Sequence, residues 1–287
     1  MSRLTRSLSA ELRKVRATKL WWILALVIAA YSAMMAAVFV FMFGAVPDAV
    51  MGAGTAGAAP PAAPTMPPQT IANLVYSSVS TFGYVVPLLF GALAVTGELR
   101  HRTLGLAFLF EPKRGIVLTS KTITVFVIGL GLGVAGVIGA IAAALPVFNA
   151  TGGDPMLGSG ETWALIARVV VAIGLWAVLG FGVGVLVKNQ AFAIVLALVF
   201  TQFIEPVARM GAQFWDWSAQ VAKFLPGAAS DSFVGASVMN SLSSVDPSVA
   251  DGDAASLGIW AGFAVLAAYA LVAVAAGWAL RWRGDVE

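Results

Sequence analysis

Thr122 to Phe148 reads TITVFVIGLGLGVAGVIGAIAAALPVF, 27 residues with no charged side chain. A helix of that length is roughly 40 Å long at ~1.5 Å per residue, and the hydrocarbon core of a bilayer is ~30 Å thick. In hydrocarbon each backbone N–H and C=O has to be bonded within its own segment, so a single apolar run of this kind forms a helix. Five further runs of the same character flank it: Leu20–Phe43, Ile71–Thr96, Thr162–Val187, Gln190–Pro206 and Ser256–Leu280. The fold class expected is an all-α integral membrane protein with a cytoplasmic amphipathic interfacial helix at 1–19 and a six-span transmembrane domain at 20–287.

Composition points the same way. The chain is 60% hydrophobic and 11% charged, with a mean hydropathy of +0.90, whereas soluble domains carry roughly 25% charged residues. The net charge is +3 and the pI near 9.4, but the basic residues cluster between apolar runs, where anionic lipid headgroups account for them better than nucleic acid does. There is no cysteine and one histidine, His101. Thiol chemistry, disulfides and His/Cys metal or haem sites are excluded, and no catalytic, cofactor-binding or metal residue is assigned. The first apolar run, 24 residues long, exceeds the ~7–15 residues of a secretory h-region and reads as a retained span.

Orientation follows from the Lys and Arg count. Fourteen of the 17 lie in the N-terminal segment, the loop between spans two and three, the loop between spans four and five, and the tail. The other side holds Arg209 and Lys223, with Arg168 inside span four. Positive charge stays cytoplasmic, so both termini are expected there. Gly44–Thr70, rich in Gly, Ala and Pro, reads as an exposed loop.

In the N-terminal segment Leu4, Leu8, Leu12 and Val15 recur at helical spacing among Arg3, Arg6, Arg13, Lys14 and Arg16. Such a helix lies in the membrane interface with cations on the headgroups, unless the cluster serves only to fix topology. The two–three loop, TGELRHRTLGLAFLFEPKRGIVLTSK (Thr96–Lys121), is too long for the usual ~2–8-residue helix connection. Leu104, Leu106, Phe108, Leu109 and Phe110 form an apolar core within a charged rim. That pattern suits docking in a partner's groove, with a solvated loop as the alternative.

The charged entry helix, Thr96-Gly97-Glu98 with Arg100, His101 and Thr103, then Pro112, Arg114 and Lys121 at the start of span three, resemble the permease subunits of type-2 ATP-binding-cassette exporters. Arg102 stands where bacterial members commonly have Gly. The resemblance extends across all six spans, and the motifs are short, so their order and the topology carry it. It implies a plasma-membrane exporter built from two permease copies and two copies of a separate ATPase subunit. The 97–121 loop would be the coupling helix, with Glu98, Arg100, His101, Arg102, Thr103, Leu104, Phe108, Pro112, Lys113 and Arg114 as the coupling residues. ATP and Mg would be bound by the partner, not by this chain, which would not itself be an enzyme. Consistent with that, no G-x-x-x-x-G-K-[ST] occurs. Gly131-Leu-Gly133-Val-Ala-Gly136 fits G-x-G-x-x-G but lies mid-span with no strand before it. Gly129 and Gly133, and Gly180 and Gly184, have the spacing of close helix packing or of a dimer face.

The 207–255 region is expected outside. Ala212 to Phe224 reads as a helix dipping into the outer leaflet and turning at Pro226-Gly227, and the family resemblance adds a re-entrant extracellular hairpin here. Arg168 and Glu205 fall at similar depth, roughly 8–10 Å from the outer surface, and are expected to pair across spans four and five unless Arg168 snorkels to the headgroups. Outward transport of an amphipathic or lipid-like substrate is the leading function. An ion-coupled secondary transporter is the alternative, disfavoured by the scarcity of midplane ionisable groups. An intramembrane enzyme lacks a Ser/His, paired-Asp or metal constellation at membrane depth.

Overall fold

The computed structural model describes residues 3–45, 67–101, 103–105, 111, 113–187, 189–211, 216–236 and 257–282, all helix or short connection. Six of its helical segments are long and apolar enough to cross a membrane: Leu20–Phe43, Pro68–Arg100, Arg114–Thr151, Gly160–Val187, Gln190–Gly211 and Ile259–Leu280. Each overlaps one expected span, and the chain is a multi-pass membrane protein. Several helices run past their apolar stretch, most of all Arg114–Thr151, because their polar ends continue the same hydrogen-bond ladder outside the lipid.

Helix α1 (Arg3–Ala17) precedes α2 (Leu20–Val40), which ends in a π-helical turn, Phe41–Ala45. The second span is two helices, α3 (Pro68–Gly83) and α4 (Val85–Arg100). They part at Tyr84 because Pro87 has no N–H to give the Gly83 carbonyl. The third and fourth spans are α5 (Arg114–Thr151) and α6 (Gly160–Val187). A left-handed Gly152, φ 70°, terminates α5, a conformation that glycine adopts without Cβ strain. Helix α7 (Gln190–Val199) starts at Asn189, whose side chain accepts the Phe192 N–H at 3.2 Å. It passes through a π-helical turn (Phe200–Ile204) into α8 (Glu205–Gly211). Two short helices follow, α9 (Asp216–Ala222) and α10 (Pro226–Val234), and α11 (Ile259–Gly277) is the sixth span.

Helix α6 is the hub, packed against α4, α5 and α11, while α2 packs along α5. Backbones touch where glycines allow it. A Cβ on Gly91 of α4 would strike the Ala177 carbonyl, and one on Gly180 of α6 would strike the Leu88 carbonyl. Gly129 meets Gly174 and Ala177, and Gly184 meets Ala92 and Val95. These glycines therefore serve packing inside the chain. Outward faces are apolar: Leu26 on α2, Phe192 and Val195 on α7, and Leu271 on α11 are all exposed. Hydrocarbon chains cover such faces without penalty.

Candidate functional site

Buried polar groups collect at two levels. The first is at the end of the bundle that carries α1. Lys121, 4% exposed, places Nζ 2.8 Å from Glu11 Oε2 and 2.6 Å from Glu98 Oε2. Lys14 Nζ lies 2.8 Å from Glu11 Oε1 and 3.7 Å from Glu98 Oε1. Two carboxylates and two ammonium groups thus form a charge-neutral network across α1, α4 and α5. Ser7 and Ser120 hydroxyls, 2.8 Å apart, extend the seam. Burial by itself would raise the Glu11 carboxyl, but the attraction and hydrogen bond of Lys121, followed by those of Lys14, hold it below the usual carboxylate range. Burial likewise opposes the charge on Lys14, and its hydrogen bond to Glu11 and the field of Glu98 outweigh it, so the ammonium sits above its ordinary value.

The face α1 turns to the bundle is therefore Ser7–Glu11–Lys14, with Val15 against the core. Leu4 is exposed, while Leu8 and Leu12 are half-buried. The sequence pattern identified the apolar stripe but missed that a polar stripe beside it makes the contacts. A signal existed: Glu11 is the only acid among the first 19 residues.

The loop residues separate into groups. Glu98 is not free on a loop but is locked to Lys121, and its carbonyl accepts the Thr103 N–H at 3.0 Å. Leu104 is 2% exposed and belongs to the chain's own core, which corrects the expectation that it serves as a docking anchor. Arg100 Nη1 donates to Gln190 Oε1 at 3.3 Å, joining the loop to the start of α7. His101 is exposed just past the end of α4. Lys113 and Arg114 open α5, where the Lys113 N–H meets Glu111 Oε1 at 3.4 Å. Arg102, Phe108 and Pro112 lie outside the described residues, as do positions 46–66, 212–215 and 237–256.

The second level lies at mid-depth. Tyr84 is midway along Pro68–Arg100, Trp176 is close to the middle of Gly160–Val187, and Thr201 is near the middle of Gln190–Gly211. The structure brings all three together: the Tyr84 and Trp176 rings stack at 4.5 Å, and the Tyr84 hydroxyl donates to the Thr201 carbonyl at 3.1 Å. Trp176 Nε1 donates to Ser230 Oγ at 3.1 Å, and Ser80 lies 3.2 Å from the same hydroxyl. Helix α10 therefore sits against the middle of the bundle. Its other end, Gly235, faces Arg168 and Ile259 nearer the α11 entry.

Next to this layer, Arg209 bridges two carboxylates, with Nη2 2.9 Å from Glu205 Oε1 and Nη1 2.8 Å from Asp231 Oδ2. Thr81 Oγ1 donates to Asp231 Oδ1 at 3.1 Å. The Gly227 N–H, at the start of α10, points to the Glu205 carboxylate. Glu205 is 1% exposed and its Oε2 has no partner. The expected Arg168–Glu205 pair is thus corrected: Glu205 is taken by Arg209, one helical turn away on the same chain segment. Arg168 Nε is buried without a hydrogen-bond partner. Residue counting gives a distance along a helix, but how neighbouring helices are staggered and which way a side chain faces are set by packing. Arg209 and Asp231 escaped notice as partners, although the i,i+4 spacing of Glu205 and Arg209 is itself a pairing signal.

Between α5, α6 and α11 runs an apolar groove of about 250 Å³, lined by residues including Phe126, Leu175 and Leu271. No group of three or more potential metal ligands occurs among the described residues. No family model matches the chain, and no curated protein matches it.

Proposed function

We propose that the chain is the permease subunit of an ATP-binding-cassette exporter, with its termini and the 97–121 loop on the cytoplasmic side of the plasma membrane. A separate ATPase subunit docks on that loop, and two permeases and two ATPases make the complex. The single observation that carries the reading is the Glu11–Lys121–Glu98–Lys14 network. It fastens the entry helix and both ends of the loop into one rigid corner, so a push on the loop is delivered to α4 and α5 together. A buried, fully paired network of this kind transmits force because breaking any member leaves a desolvated charge. The α1 helix, with Arg3, Arg6, Arg13 and Arg16 exposed and Leu4 free to meet lipid, anchors that corner in the interface. The α9–α10 segment is a re-entrant hairpin entering from outside, with Pro226-Gly227 at its tip, and the cargo is amphipathic or lipid-like.

One observation favours the alternative of an ion-coupled secondary transporter: the Glu205–Arg209–Asp231 cluster is ionisable and near mid-depth, beside a span interrupted by a π-helical turn. Purification from the native membrane separates the two. The exporter reading expects an ATPase subunit to copurify, with ATP hydrolysis in the complex and none in the chain alone. A chain that transports in vesicles without any ATPase overturns it.

A further inference from the structure

The outer cluster differs from the inner one in charge balance. Glu205 and Asp231 carry two acidic groups against one guanidinium, that of Arg209, which stays protonated under all ordinary conditions. The groups facing Glu205 can be named element by element. Arg209 comes from its own segment and Asp231 from α10, and the Tyr84 hydroxyl lies at the α3–α4 junction with Tyr31 on α2 beyond it. Arg168, on α6, lies at the far end of α10 beside Gly235, about one turn beyond Asp231. Among the described residues, Arg209 is the cation that faces the carboxylate.

The two acids are not equivalent. Asp231 has both oxygens occupied, one by Arg209 and one by Thr81, and is partly exposed. Glu205 has Oε1 on Arg209 and on the side of Gly227, whereas Oε2 is buried without a partner. A buried ionised oxygen without a donor is far less tolerable than a buried hydroxyl, because desolvating a charge exceeds desolvating a neutral polar group. We propose that Glu205 is a resident proton site: Oε2 carries a proton while the tip of α10 is docked on it, and gives that proton to water when the tip withdraws. The O–H bond breaks heterolytically, the proton passes to entering water, and the carboxylate left behind is paired by Arg209. Docking of the hairpin is thereby linked to proton uptake, and raising the pH favours the undocked state. The inference rests on the chain alone and stands or falls separately from ATPase coupling.

The test uses the full chain in a maltoside detergent, which has no ester carbonyl. At neutral pH the infrared spectrum is expected to show a protonated-carboxyl stretch that is lost in Glu205→Gln and kept in Asp231→Asn. Absence of the band in the wild type, or its survival in Glu205→Gln, overturns the assignment, as does a chain stabilised by sodium with no such band. Hairpin coupling is read separately. The chain has no cysteine, so Ala228→Cys introduces a sole thiol at the α10 tip. Its maleimide labelling is expected to rise more steeply with pH than in the Ala228→Cys, Glu205→Gln double variant, where thiol ionisation is the same. Equal steepness overturns the link between proton and hairpin.

Discussion

At the scale of single residues, the structure assigns different consequences to side chains that look alike in the sequence. Leu104 was expected to face a partner, and it is instead in the core. Leu104→Ala is expected to remove roughly 2–5 kcal/mol of stability, read as a lower unfolding temperature of the chain without any ATPase present. Gly227 is small because a Cβ there would collide with Glu205 Oε1 and Arg209 Nη2. Gly227→Ala should cost about 1–3 kcal/mol through overpacking, and thermal unfolding in detergent checks it. Arg209 is shared by two acids, and its removal leaves both without a cation. Arg209→Met is expected to lose about 3–5 kcal/mol, while Arg209→Lys should recover only part, since an ammonium cannot span both carboxylates as a planar fork does.

Among elements, α1 is the one whose role the tertiary contacts changed most. Its apolar periodicity was visible, but what holds it to α5 is an ion network whose parts lie more than a hundred residues apart in the chain, Glu11 with Lys121. That network predicts a pH response. Glu11 is held below its usual range, so the stability it contributes is present above the unfolded carboxylate value of ~4.3 and is lost as pH falls through the lower folded value. Lys14 is raised, so its share is present below the ordinary lysine value of ~10.4 and fades as pH rises through the higher folded value. Unfolding temperature should therefore fall on acidification, and Glu11→Gln should flatten that acid limb while leaving the neutral region nearly level. An unchanged acid limb in Glu11→Gln would show that other groups govern it.

For the whole molecule, the α4–α6 and α5–α6 seams place the hub helix within backbone contact of two neighbours, while α2, α7 and α11 turn broad apolar faces outward. The proposed exporter reading places the cargo pathway between two copies related by a two-fold axis, and the close packing of α6 against α4 and α5 among the described residues is consistent with that. If that reading holds, native mass measurement finds two copies of this chain with two ATPase subunits, and a functional complex holding a single copy would exclude it. Gly180→Leu should separate α4 from α6 and abolish assembly along with fold, visible as loss of the monodisperse species.

The sequence by itself determined that the chain is helical, with six stretches long and apolar enough to cross a membrane, and roughly where each lies. Those properties depend on local hydropathy and on a fixed rise per residue, and both are additive along the chain. Only the tertiary structure decided which groups meet. Glu205 lies at the Gly227 end of α10 and Arg168 at its Gly235 end, so Glu205 meets Arg209 and Gly227 instead of Arg168, and Glu98 proved to be the partner of Lys121 and Lys14 rather than an open docking residue. Helix azimuth and the insertion of a nine-residue helix against mid-depth serines depend on side-chain volumes and on glycine contacts between distant segments. No local pattern encodes those contacts, because each is set by the shape of a neighbour that the local sequence does not contain.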